Sequence, residues 1–169
     1  SLTSNKTFWL LLLICIITVI PFLGLYDYNT KGEPRESIVS YTMLETGNWI
    51  LPRNNGGEMA YKPPFFHWCV AACSAVNGRV TEMTSRMPSA IAFIILVMST
   101  FVFYLKRKGS RIALLSALLM LGCLELVRAS CNCRVDMVLT MLTVCSLYCF
   151  YGWYEKKLRG IPWLALLLM

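Results

Sequence analysis

The chain has 169 residues, 57% of them hydrophobic, with a mean hydropathy of +0.58, and a soluble domain this apolar would be hard to keep in solution. Its formal net charge is +7, yet the six basic and six acidic residues between Asp27 and Pro88 cancel, so the excess sits in short clusters elsewhere. Basic clusters between apolar runs speak for membrane topology and anionic lipid headgroups, and give no support to nucleic acid as a partner.

In chain order, the first predicted element is a membrane span over about 7–26, some twenty residues and about 30 Å of helix, the thickness of the hydrocarbon core. It is longer than the apolar core of a signal peptide, and Phe22-Leu23-Gly24-Leu25-Tyr26 is a poor cleavage site, so it reads as retained. A long polar loop, 27–88, follows, and long ordered connections tend to be functional. Within it, Pro34 suits the first turn of a helix, Ile38, Tyr41, Met43 and Leu44 recur at helical spacing, and Gly47 is a natural stop. That helix is too short to span and is expected to lie on the membrane surface with its apolar side down. Asn48 to Gly57 is rich in turn formers. In Tyr61-Lys62-Pro63-Pro64-Phe65-Phe66-His67-Trp68 the prolines keep Lys62 out of the next helix and present it from a rigid turn beside aromatic rings. The apolar helix that follows is of interfacial or re-entrant length. Further spans are predicted at about 89–105, 112–127 and 137–154, and a fifth begins at 161 and stops within the bilayer, so the chain is expected to belong to something longer.

Lys106, Arg107, Lys108 and Arg111, and then Lys156, Lys157 and Arg159, mark two loops as cytoplasmic. This puts the amino terminus inside and 27–88 outside. Of the eight cysteines, Cys15, Cys123, Cys145 and Cys149 fall within predicted spans. Neither Cys69/Cys73 nor Cys131-Asn132-Cys133 has a second pair at zinc-site spacing, so packing is the simpler reading.

The order of motifs is specific: a span, G-E-P-R with M-L-E-T-G-N-W, then Y-K-P-P-F-F-H-W, S-R-M-P-S-A leading into a span, and R-V-D-M-V-L opening another. In this order they resemble the amino-terminal part of lipid-linked-sugar glycosyltransferases related to the aminoarabinose transferase of lipid A (ArnT) and to protein O-mannosyltransferases. The resemblance covers essentially the whole chain. It implies an all-α, polytopic GT-C architecture with surface helices on the outer face and a donor sugar carried on a polyprenyl phosphate. It also implies that the family's acidic pair falls on Gly32-Glu33, so that its first acid is glycine here and Glu33 holds the second place. Arg35 matches the family's arginine, Lys62 the lysine that approaches the carrier phosphate, Asp136 an outer-loop aspartate, and Arg86 the arginine before the second span. Where related members carry a metal-binding acid, this chain has Tyr61, so no metal ligand is assigned and a divalent cation stays open.

Glycosyl transfer from a polyprenyl phosphate needs cations to hold the leaving phosphate and a carboxylate to assist the attacking hydroxyl. The expected catalytic acids are Glu33 and Asp136. Lys62, Arg35, Arg128 and Arg134 are the expected phosphate-binding cations, and Tyr61, Phe65 and His67 the expected substrate groove. Blander readings compete: an ordinary helix start for Glu33 and Arg35, a snorkelling interfacial Lys62, a packing role for His67 and an interfacial aromatic belt. Glu125 lies three residues before Arg128, so an internal salt link competes with a functional pair. The expected function is transfer of a sugar to an extracytoplasmic acceptor, with the bilayer as partner and the bacterial inner membrane as location. A polytopic transporter and an inactive relative are the alternatives.

Overall fold

The computed structural model describes residues 2–54, 57–60, 62–156 and 161–169. Helix α1 (Leu2–Val19) runs into a 3-10 turn at Ile20–Phe22. Leu11, Cys15, Val19 and Leu23 recur every four residues and are buried, because only that stripe meets the rest of the protein. Leu10, Leu13 and Ile17 remain exposed, as expected of a helix whose other sides face lipid.

The long helix α4 (Glu82–Lys108) is the axis of the molecule and packs against α1. It begins seven residues before the predicted span at 89, because Thr81 caps it: Thr84 N–H donates to Thr81 Oγ1 at 3.2 Å, and Thr81 N–H to Thr84 Oγ1 at 2.9 Å. Pro88 therefore lies inside the helix, in its second turn, where it leaves one carbonyl of the preceding turn without its N–H partner. Its 27 residues make about 40 Å of helix, from Glu82 at one end to Lys106-Arg107-Lys108 at the other.

Helices α5 (Ser110–Leu121) and α6 (Leu124–Ser130) replace the continuous span predicted over 112–127. They meet at a 67° bend. Gly122, a weak helix former, closes α5, and Cys123 is extended. Helix α7 (Val135–Glu155) returns along α4, with which Thr100 Oγ1 and Tyr148 OH share a hydrogen bond of 3.0 Å. Arg107 lies 3.9 Å from the Phe103 ring centroid and pairs with Glu155. Helix α8 (Trp163–Leu167) is tied to α7 by a 2.7 Å hydrogen bond from Ser146 Oγ to the Ala165 carbonyl.

Between α1 and α4 lies the polar excursion. It holds α2 (Gly32–Thr46), a two-residue antiparallel ladder of β1 (Arg53–Asn54) with β2 (Glu58–Met59), and α3 (Phe65–Ala75). Helix α2 starts two residues before Pro34 and stops at Gly47, whose φ of 68° is the left-handed conformation that glycine adopts without steric penalty. Its protein-facing side is largely polar and shares only Met43 with the expected apolar stripe. Glu33, Glu36, Ser37, Val39, Ser40 and Met43 face the protein, while Ile38 and Tyr41 are exposed. Helix α3 rests on α2 and α4, burying Phe66, His67, Val70 and Ala71. Among the described residues, three helices are long and apolar enough to cross a membrane, or four if α5 and α6 make one broken span. The fold is an all-α polytopic membrane fold of GT-C architecture.

Candidate active site

Glu33 and Glu36 stand three residues apart on the buried side of α2, and each is held by a different set of partners. Glu33 Oε1 accepts from Arg86 Nε at 3.0 Å and from the Cys133 N–H at 2.9 Å, and Oε2 accepts from the Asn29 N–H at 2.9 Å. Arg86 also donates to the carbonyls of Leu23, Tyr26 and Asp27 at 2.7–2.9 Å. Burial alone raises the Glu33 pKa, but the Arg86 guanidinium and the two N–H groups outweigh it and hold the carboxyl below its ordinary value. Neither side chain has appreciable exposed surface, Glu33 at 0% and Arg86 at 2%. This pair joins α2, α4, the end of α1 and the loop before α7.

Glu36 faces the other way along the helix. Its Oε1 meets Lys62 Nζ at 3.1 Å and Arg35 Nη2 at 3.2 Å, and its Oε2 meets His67 Nε2 at 2.8 Å. An ionised carboxylate only accepts, so His67 Nε2 carries the hydrogen. Pro63 and Pro64 set this geometry: they lead into α3, leave Lys62 on the turn before it, and put His67 in the first helical turn, one step inward. Burial again raises the Glu36 pKa, but the hydrogen bonds from His67 and Lys62 and their charges bring it down to about 2. Such a depression stabilises the fold at neutral pH and is lost only as pH falls below the ordinary glutamate range toward about 2. Lys62 and Arg35 keep 30% and 43% of their side-chain surface exposed. With Glu36, Val39, Asn54, Ala60 and His67 they line a cavity of about 10 Å³, room for one water molecule.

The model of the dolichyl-phosphate-mannose-protein mannosyltransferase family matches residues 61–169, more than half of the chain. The chain belongs to that family. A protein of Aquifex aeolicus (strain VF5) is 28% identical over 160 residues, which is 90% of this chain and 32% of the relative. The undecaprenyl phosphate-alpha-4-amino-4-deoxy-L-arabinose arabinosyl transferase of Pseudomonas savastanoi pv. phaseolicola (strain 1448A / Race 6) is 34% identical over 83 residues, 49% of this chain and 15% of the relative. The crystal structure of ArnT from Cupriavidus metallidurans bound to undecaprenyl phosphate superposes with a TM-score of 0.78 at 21% identity, covering 83% of this chain and 26% of that one. The apo structure of the same protein gives 0.79 at 21% identity, covering 88% and 27%. The chain thus spans about a third or less of the length of these relatives. The likeness to ArnT carries the fold.

Within this mannosyltransferase-family chain, the residues singled out by sequence fall in several separate places. Lys62, Arg35 and His67 converge on Glu36, a residue that sequence reasoning passed over. The one available signal for it was its position, a turn after Gly32 and next to Arg35. Glu33 and Arg86 converge on each other inside the protein, both almost fully buried; Glu36 is itself only 3% exposed, but its partners Lys62 and Arg35 reach the surface. Arg134 and Asp136 pair at 3.2 Å at the start of α7, both about half exposed or more, and neither lines the Glu36 cavity. Arg128 faces Glu125 at 3.8 Å on α6, and both are well exposed, so that pair is a surface contact among the described residues. Phe65 is exposed and lies outside the cavity lining, whereas its neighbour Phe66 enters the core. Tyr61 lies outside the described residues. Cys133 is buried and accepts a contact from Ser37 Oγ at 3.5 Å, and burial pushes its thiol up to about 11, as suits a packing side chain. A larger cavity, about 630 Å³, lies at the opposite end of α4 beside Arg107, Trp153 and Trp163, and another of about 270 Å³ lies between α3 and the start of α4 beside Cys73 and Met87.

Proposed function

We propose that this chain is the amino-terminal part of an integral-membrane glycosyltransferase that moves a sugar from a polyprenyl phosphate to an acceptor outside the cytoplasm. On this reading 1–169 is one portion of a single transmembrane domain, set in a bacterial inner membrane with 27–88 on the periplasmic side. The observation that carries the proposal is the convergence of Lys62 and Arg35 on one carboxylate oxygen at the mouth of a cavity. Two part-exposed cations held that close together make a seat for the donor's phosphodiester and for the doubly charged phosphate it becomes as the sugar leaves.

When the acceptor oxygen attacks the anomeric carbon, the bond from that carbon to the phosphate oxygen breaks and negative charge grows on the phosphate. Lys62 and Arg35 are fixed where that charge develops, so they stabilise the transition state without rearranging. The apolar flanks of α1 and α4 provide the lipid setting that a polyprenyl chain requires. Positive charge at the Lys106–Lys108 end supports the orientation, because cytoplasmic ends carry that excess. The family match and the arabinosyl transferase relative support the reaction class.

The test uses membranes containing the full-length protein and radiolabelled undecaprenyl-phosphate-linked sugars. Lys62→Ala is expected to lower transfer by about 10–100-fold, the worth of a charge-assisted contact, with normal insertion. Transfer at the wild-type rate by Lys62→Ala would remove this cation from the mechanism.

A further inference from the structure

We propose that Glu36 occupies the phosphate seat in the resting site and, once the donor phosphate displaces it, becomes the base that accepts the proton of the attacking hydroxyl. This rests on the phosphate reading of Lys62 and Arg35 given above. The two Glu36 oxygens have different duties. Oε2 is anchored 2.8 Å from buried His67, and Oε1 faces Lys62 and Arg35, the only lining cations with exposed surface among the described residues. A phosphate that takes those two cations leaves Oε1 without its ion pairs, while His67 still fixes the carboxylate in place.

The change in partners changes the chemistry. A carboxylate stabilised by two cations and an imidazole N–H is a poor base. Shared with the donor's singly charged phosphodiester, which gains a second charge as the sugar leaves, the same cations no longer hold Oε1, and the like charge beside it favours proton uptake. Basicity then appears only when a donor is bound. In the transfer step the acceptor O–H proton passes to Glu36 Oε1, and the acceptor oxygen bonds to the anomeric carbon. The carbon–oxygen bond to phosphate breaks with its electron pair going to the phosphate, and protonated Glu36 releases its proton to solvent. His67 is a positioning residue here and touches no reacting atom.

Gly32 provides an internal control. It lies four residues before Glu36 on the same helical face, and a Cβ built there would meet nothing within 4 Å. An aspartate at 32 therefore adds a carboxylate one turn along the same side.

The experiment measures undecaprenyl phosphate binding by native mass spectrometry, and sugar transfer in membranes, for full-length wild type, Lys62→Ala, Glu36→Gln and the Gly32→Asp/Glu36→Gln pair. Glu36→Gln is expected to bind undecaprenyl phosphate several-fold more tightly, because the competing anion is gone, yet to transfer sugar about 100-fold or more slowly. Gly32→Asp is expected to restore part of that loss. A simple structural knot between α2 and α3 would show binding and transfer falling together in Glu36→Gln, and that result overturns the proposal. Wild-type transfer in Glu36→Gln overturns it too, and leaves the phosphate seat standing. Unchanged binding in Lys62→Ala removes the seat, and the Glu36 assignment falls with it.

Discussion

At the scale of single residues, the lesson of this chain is how environment separates two glutamates three positions apart. Glu33 is enclosed by Arg86 and two backbone N–H groups, and Glu36 by buried His67 together with Lys62 and Arg35, which reach the surface. Removing one partner of a buried ion pair strands the other charge without water, which costs about 3–5 kcal/mol. Arg86→Ala is therefore expected to destabilise the protein by about that amount, seen as a lower thermal unfolding temperature in detergent. An Arg86→Ala variant as stable as wild type would show that the Glu33 pocket admits water. The sequence could name both residues through the resemblance but not join them, because 53 positions separate them and no local pattern links such partners. Glu36 went unnoticed for the opposite reason: beside Arg35 in a first turn, it reads as an ordinary solvated helix charge.

At the scale of elements, the long apolar helices α1, α4 and α7 were legible because hydropathy over a span's length needs no knowledge of neighbours. The break between α5 and α6 was not, since Gly122-Cys123 interrupts no apolar run and a single glycine inside a span is commonplace. The protein-facing side of α2 was not legible from periodicity: its polar residues point inward because Arg86, Lys62 and His67 are there to meet them, while Ile38 and Tyr41 stay exposed. The turn that delivers Lys62 was read from Pro63 and Pro64 directly. Those prolines fix φ and thereby limit the conformations of the unbound turn. Replacing both with glycine keeps the Lys62 ammonium but loosens its placement, so undecaprenyl phosphate binding is expected to weaken about tenfold with α3 intact by circular dichroism. Equal affinity would mean that the lysine needs no rigid support.

At the scale of the whole molecule, α4 acts as a strut about 40 Å long, with the Glu36 cluster near one end and the basic cluster Lys106-Arg107-Lys108 at the other. Its first turns carry Arg86, and its flank supports α3, so one helix fixes both the buried ion pair and the platform for His67. The central claim is that the part-exposed Lys62 and Arg35, beside the small α2–α3 cavity, face the outer side and receive a lipid-borne phosphate. Ala60 lines that cavity and carries no charge, so a cysteine there reports access without removing a phosphate partner. The decisive measurement places Ala60→Cys in full-length protein whose native cysteines are replaced, and adds a membrane-impermeant maleimide to intact cells and to vesicles of both orientations. The account predicts labelling from the outer side only, slowed by added undecaprenyl phosphate. Labelling from the cytoplasmic side, or a rate that the lipid phosphate leaves untouched, would contradict it.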